Sequence, residues 1–175
     1  MEIRALREGD DRSGFRSGDP DLDRFFLRFA GQNQFRHHVG VTHVAVEDEE
    51  ILGFATVSPS HLEIDRLPAA ARRGLPSYPV PVLRLARLAV DESARGTGLG
   101  SQLLRFVLGL ALSMAGEYGC GGVLVDAKPD ATAFYAKYGF VELEALEGQS
   151  EARPQPTSMF LSMRAIRASS RRRRA

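Results

Sequence analysis

An apolar, strand-like run, Leu85-Ala86-Arg87-Leu88-Ala89-Val90, leads into the hexapeptide Arg95-Gly96-Thr97-Gly98-Leu99-Gly100. Beyond it Leu99, Leu103, Val107, Leu110 and Met114 recur at helical spacing. A strand, a glycine turn and a helix start in that order present free backbone N–H groups at the positive end of a helix dipole, an arrangement that holds a pyrophosphate. The glycines let the backbone approach phosphates without Cβ clashes, and Arg95 can add a charge. Other phosphate loops fit poorly. A GxxxxGK[ST] loop needs a lysine after its last glycine, where this chain has Ser101-Gln102. A dinucleotide fingerprint needs GxGxxG and an acidic residue about twenty positions on. Here the turn is GxGxG, and the next acidic residue, Glu117, lies toward the end of the helix. On the hexapeptide alone, a glycine-rich turn that merely starts a helix stays open.

A second segment narrows the choice. Arg-x-x-Gly-x-Gly after an apolar strand resembles the acetyl-coenzyme A motif of the GNAT superfamily of N-acetyltransferases. Ala133-Phe134-Tyr135-Ala136-Lys137-Tyr138-Gly139-Phe140 resembles that superfamily's AxxFYxxxGF mark. One helix and the strand Val123-Leu124-Val125-Asp126 separate the two. The resemblance implies an α/β GNAT fold with a mixed central sheet flanked by helices in a single domain, and acetyl-CoA as cofactor.

Composition suits this. With 175 residues, 43% of them hydrophobic, the chain can bury one sizeable core and leaves little room for a second. It has no run of about 18 apolar residues, so no membrane span is expected. The N-terminus lacks the apolar core of a secretory signal. One cysteine, Cys120, excludes an intrachain disulfide and suits a reducing, cytoplasmic setting. Lying just before a buried-looking strand, Cys120 reads as packing rather than chemistry. A net charge of +1 means that any nucleic acid must be met by a local basic patch.

Along the chain, residues 1–6 read as a strand. Ser17-Gly18-Asp19-Pro20 is a helix-start signal, with Leu22, Phe25, Phe26, Phe29 and Ala30 forming one apolar stripe. Val41–Val46 and Ile51–Val57 form a hairpin across the acidic turn Glu47 to Glu50, and Pro68 to Pro81 is an irregular loop or short helix. Strand 82–90, the glycine turn, helix 98–117, strand 122–126, helix 130–138 and strand 140–145 follow. Residues 147–157 read as a loop, and Met159–Met163 as a closing strand. The chain divides into a GNAT domain, 1–165, and a basic tail, 166–175, expected to be disordered because Arg171 to Arg174 can bury nothing. That tail reads either as a solvated end or as an arm that attracts phosphates.

Further motifs resemble one GNAT branch. Phe15-Arg16-Ser17-Gly18, Leu22-Asp23, Ala30 and Asn33-Gln34 look like the opening of bacterial toxins that acetylate aminoacyl-tRNA and are neutralised by ribbon-helix-helix antitoxins. Ser58-Pro59 and the stretch Pro79-Val80-Pro81 to Arg87-Leu88-Ala89-Val90-Asp91 also resemble that branch. The similarity spans most of residues 15–140 and weakens from 145 on. It implies an aminoacyl-tRNA substrate, a small antitoxin partner and a homodimer. The branch's usual lysines on the first helix are here Arg24, Arg28 and Arg36, which keep the charge but change the phosphate geometry.

In this setting the cofactor-binding candidates are Leu88, Ala89, Val90, Arg95, Gly96, Thr97, Gly98, Leu99, Gly100 and Ser101. The backbone of Leu88 to Val90 faces the acetyl carbonyl and pantetheine, and the rest cradle the pyrophosphate. Tyr135 matches the family tyrosine beside the coenzyme sulfur, and its phenol suits a general acid; Tyr138 reads as packing. The RNA-binding candidates are Arg24, Arg28, Asn33, Arg36, Arg84 and Arg87. Strict alternation puts Arg84 and Arg87 on opposite faces of their strand unless a bulge intervenes, with Arg87 either lining the cleft or structurally paired. His37-His38 offers no partner at ligand spacing, so no metal is expected.

Glu63, Asp65 and Asp91 are the nearby carboxylates, and none has a spacing that marks a general base. A lysine amine is neutral to only about 0.04% at pH 7, whereas an α-amine is neutral to roughly 15%. A site without a base therefore favours the α-amine. The leading expectation is an acetyltransferase moving acetyl from acetyl-CoA to the α-amine of aminoacyl-tRNA, a translation-blocking toxin. The alternatives are acetylation of a protein lysine or small amine, and coenzyme binding that only tunes an interaction.

Overall fold

A computed structural model describes residues 1–144 and 156–172. The fold is α/β, with helices flanking a mixed seven-stranded sheet in the order β1-β2-β3-β4-β5-β7-β6. The strands are β1 (Glu2–Ala5), β2 (Val41–Glu47), β3 (Glu50–Leu62), β4 (Val80–Val90), β5 (Gly122–Ala127), β6 (Val141–Glu142) and β7 (Thr157–Ser162). The α-helices are α1 (Pro20–Arg24), α2 (Ala30–Gln32), α3 (Leu99–Glu117), α4 (Thr132–Ala136) and α5 (Met163–Arg172). The chain forms two compact units, one from Met1–Ser58 with Leu85–Gly109, the other from Pro59–Arg84 with Leu110 onward.

In the first unit β1 pairs antiparallel with β2, and β2 with β3. The β2–β3 turn places Asp48 and Glu49 at φ 48° and 67°, the left-handed pair whose twist matches a two-residue hairpin. The first helix starts as expected: Asp19 accepts from the Asp21 and Leu22 amides, with Pro20 in the first turn. It then departs from a simple α-helix. Two π-helical turns, Phe25–Phe29 and Asn33–His37, widen the repeat. Phe25, Phe26 and Ala30 stay buried, but the expected stripe breaks at Phe29, which is 43% exposed, because a wider turn shifts each later residue around the axis. Arg12 donates to the Phe26 carbonyl at 3.2 Å. Gln34 ties this helix to the sheet, donating to the Leu6 carbonyl at 3.0 Å and accepting from the Thr42 amide at 2.9 Å.

The core of this unit is aromatic. Phe26 stacks on Phe54 at 4.3 Å, and Phe15 meets both edge-on at 5.0 and 5.4 Å. All three rings are buried, with Leu6, Val44, Ile51 and Ala89 around them. Such edge-to-face and offset contacts add about 0.5–1.5 kcal/mol per pair beyond area burial.

The second unit pairs β5 and β6 antiparallel with β7. Its core joins Leu62, Leu67, Val80, Val82, Leu124, Leu143 and Phe160. The proline-rich segment supplies two 3-10 turns, Ile64–Arg66 and Ala69–Arg72. Cys120 is buried and donates to the Gly122 carbonyl. The expected loop at 147–157 and the end of strand 140–145 fall largely outside the described residues. The tail differs from expectation. Instead of disorder from residue 166, α5 runs to Arg172, started by Ser162, whose Oγ accepts from the Ala165 amide, and anchored by buried Ile166.

By length and composition alone α3 could pass for a membrane-spanning helix. Of its apolar residues, Leu99, Leu103, Leu104, Val107, Ala111 and Met114 are buried within the protein, and Phe106, Leu108, Leu110 and Leu112 are half-buried.

Candidate active site

The glycine turn lies wholly in the first unit, between β4 and α3. Gly96 and Gly98 adopt φ 74° and 85°, with nothing within 4 Å of where a Cβ would stand. Glycine is required there by the left-handed backbone rather than by crowding. The open space suits a ligand that lies directly on the main chain. The Gly98 carbonyl accepts the first intrahelical bond of α3, from Gln102 at 3.1 Å, so the Leu99 and Gly100 amides precede the helical ladder. Gly96, Thr97 and Gly98 are exposed, while the Leu99 side chain is buried and pins the first turn. These amides, together with the α3 dipole, fit a pyrophosphate.

Gly53 on β3, which the sequence reading did not single out, sets how closely α3 approaches the sheet. A Cβ there would stand 2.9 Å from Leu103 Cδ1, 3.1 Å from the Ala89 carbonyl oxygen and 3.3 Å from Leu99 Cδ2. A glycine inside a strand pattern signals such a close approach.

The turn is braced from the N-terminal segment, again unforeseen. Asp91 accepts from the Arg16 amide at 2.8 Å and from the Ser93 amide and hydroxyl at 2.9 and 2.7 Å. The Glu92 amide returns a bond to the Arg16 carbonyl at 2.8 Å. Arg95 donates to the Ser17 carbonyl and lies 3.8 Å from Glu92. The guanidinium expected to add charge at a phosphate is thus engaged in holding the turn. Partial burial pushes the Asp91 carboxyl up, but the bonds from Arg16 and Ser93 outweigh it and hold the pKa below the ordinary value. With its oxygens so occupied, Asp91 is built as a bracket, not as a base.

Tyr135 belongs to the second unit, and the FYxxxGF stretch is a helix-stop motif. The Phe140 amide reaches the Tyr135 carbonyl at 3.3 Å, and the Gly139 amide reaches the Ala136 carbonyl at 3.0 Å. Gly139 sits at φ 92°. This pair of bonds around a left-handed glycine is a Schellman motif, and its usual hydrophobic contact is here Phe140 against the Tyr135 ring, 5.4 Å between centroids. Phe134 meets the same ring edge-on at 5.1 Å. Burial pushes the Tyr135 phenol pKa well up, so the proton stays on Oη throughout the neutral range.

The expected RNA-binding residues fall into two groups. Arg24, Arg28 and Arg36 are exposed on the first helical run, with Arg24 3.3 Å from Asp21. Asn33 is half-buried, and its carbonyl accepts from the Val39 amide at 3.1 Å. Arg84 is committed to Asp126 at 2.7 Å, whose other oxygen takes the Ser158 hydroxyl at 2.7 Å. Arg87 lies over the Phe25 ring at 3.7 Å, so the aromatic core receives this half-buried cation.

A family model described as "Acetyltransferase (GNAT) domain" matches residues 38–142. The chain is 36% identical over 140 residues to a Mycobacterium tuberculosis protein named tRNA-acetylating toxin, covering 78% of this chain and 82% of that protein. The protein belongs to the GNAT acetyltransferase family. Among solved structures it is similar to AtaT complexed with acetyl-methionyl-tRNAfMet, at a TM-score of 0.81 and 23% identity over 97% of this chain and 98% of that one. It is also similar to a mutant AtaT toxin bound to the C-terminus of the antitoxin AtaR and acetyl-CoA, at a TM-score of 0.75 and 23% identity over 96% of each chain. At these identities the likeness is one of fold.

Proposed function

We propose that this chain transfers acetyl from acetyl-CoA to the α-amine of aminoacyl-tRNA and so blocks translation as a toxin. The observation that carries the reading is the 36% identity, over most of both chains, to the tRNA-acetylating toxin. When bound, acetyl-CoA supplies an acetyl thioester, an acyl group activated toward amines. The amides of Leu99, Gly100 and Ser101 bind its pyrophosphate, with Gly96, Thr97 and Gly98 leaving the main chain open to it and Arg95 bracing the turn. The backbone of Leu88, Ala89 and Val90 orients the pantetheine arm and donates to the carbonyl oxygen as charge develops there. As the amine nitrogen bonds to the acetyl carbon and the carbon–sulfur bond breaks, Tyr135 donates its Oη proton toward the departing sulfur, and the proton the amine sheds restores the phenol through solvent.

No strong base is needed for this acceptor, because roughly 15% of an α-amine is already neutral at pH 7. The occupied oxygens of Asp91 agree with that economy. Arg24, Arg28, Arg36 and Asn33 hold the acceptor RNA through phosphate contacts, whereas Arg84 and Arg87 support it from their pairings with Asp126 and Phe25. A ribbon-helix-helix antitoxin, a homodimer and a cytoplasmic setting complete the reading.

The test is incubation with radiolabelled acetyl-CoA and, separately, charged tRNA, free amino acids and lysine peptides. Label on the α-amine of charged tRNA is expected. Label confined to peptide lysine overturns the proposal.

A further inference from the structure

The C-terminal helix α5 presents a rigid basic stripe. Arg164, Arg167 and Arg171 follow one another at i, i+3 and i+7, which places them on one face along about 10 Å of helix. All three are exposed, as is the adjoining Arg172. No described carboxylate lies within ion-pair distance of any of them. Ile166, on the opposite face, is buried, and Ser162 caps the start, so the helix is fixed at both its first turn and its inner face. Like charges at this spacing repel one another, and no described carboxylate offsets that cost. The repulsion is relieved when a polyanion lies along the stripe.

We propose that this stripe is a docking surface for the phosphodiester backbone of RNA. The proposal rests on the tRNA-acetylating reading and extends it: beside the acceptor end, the transferase grips the body of its substrate through α5. An RNA occupant follows from the exposed residues of α5. Apart from the arginines they are Ala168 and Ser169, with no large apolar side chain beside the charges to enter a lipid layer. Guanidinium groups at successive turns meet phosphate oxygens bidentately and without regard to sequence. Arg171, with Arg172, stands at the negative end of the helix dipole and helps keep the last turn formed.

The test measures binding of the full chain to deacylated bulk tRNA across a salt series, for the wild type, the triple variant Arg164→Gln, Arg167→Gln, Arg171→Gln, and the matching triple Lys variant. Deacylated tRNA carries no acceptor amine, so the result reads the stripe whether or not the chain acetylates charged tRNA. The Gln variant is expected to lower the slope of log affinity against log salt by about 2–3, close to one per lost phosphate contact. The Lys variant should keep the wild-type slope, because it keeps the charge. Acetyl-CoA affinity, measured by calorimetry, should be the same in all three, showing that each is folded. An unchanged slope in the Gln variant overturns the proposal. So does loss of binding only to phosphatidylserine vesicles or only to duplex DNA, with tRNA binding intact.

Discussion

Replacing Gly139 by alanine tests whether the helix-stop motif is what presents Tyr135. The residue sits at φ 92°, where an L side chain is disfavoured by roughly 1–2 kcal/mol. The nearest atom to a new Cβ, Leu161 Cδ1, is 3.5 Å away, an ordinary contact, so no clash adds to that figure. Alanine also narrows the unfolded ensemble, which recovers about 0.4–1 kcal/mol. The net loss is therefore about 1 kcal/mol, or about 2–4 °C in Tm for a chain of this size. Because the strain falls on the residue that returns Phe140 to the Tyr135 ring, turnover should drop, while acetyl-CoA affinity, which we propose rests on the glycine turn, should hold. Asparagine tolerates the left-handed region better and should restore most of both losses. Thermal unfolding, calorimetry with acetyl-CoA and steady-state turnover together decide it. If Gly139→Asn is as damaging as Gly139→Ala, or if alanine costs neither stability nor turnover, the conformational account is wrong.

Tyr135→Phe removes the hydroxyl proposed as the proton donor and leaves the ring; turnover should fall at least tenfold with acetyl-CoA affinity unchanged, and a large loss of that affinity would instead mean a structural role. Gly53→Ala puts a Cβ 2.9 Å from Leu103 Cδ1 and 3.3 Å from Leu99 Cδ2 on α3, and 3.1 Å from the Ala89 carbonyl oxygen on β4, so the two leucine side chains that seat α3 and the strand backbone must give way. The expected cost is about 1–3 kcal/mol of stability, with weaker acetyl-CoA binding by calorimetry; unaltered binding would refute the link between that contact and the turn. His43 is buried against Phe106 at 5.0 Å, its Nδ1 has no partner among the described residues, and burial holds its pKa below the ordinary value. Below about pH 6.5 the unfolded chain takes up a proton that the folded histidine refuses, so stability is full above that pH and falls as the medium is acidified. His43→Phe should flatten this fall, raising Tm more at pH 5 than at pH 8; equal gains at both would show that His43 is not the group responsible.

What could be read from the sequence is what depends on neighbours along the chain. The glycine turn, the α3 periodicity, the Asp19 cap and the FYxxxGF stop all express local backbone chemistry, and each is found where it was expected. Phe29 escaped because π turns change the angular step per residue, and no periodicity count foresees them. Residues 166–172 escaped for a different reason. The run of arginines outweighed the cap and the one apolar anchor, Ser162 and Ile166, that suffice to start a helix. The pairing of Arg16 with Asp91 joins residues 75 positions apart, beyond the reach of any local pattern. Strand alternation separates Arg84 from Arg87 and leaves Arg87 open between cleft and pairing, but only the fold shows that one meets a carboxylate and the other a ring.

Phe15 roots the segment whose next two residues, Arg16 and Ser17, clasp the loop ahead of α3. Anyone transplanting that loop into a sister enzyme must therefore move its remote buttress as well. A swap confined to residues 91–100 leaves a hinge with no latch, and portability here is a property of two strands of sequence inherited together.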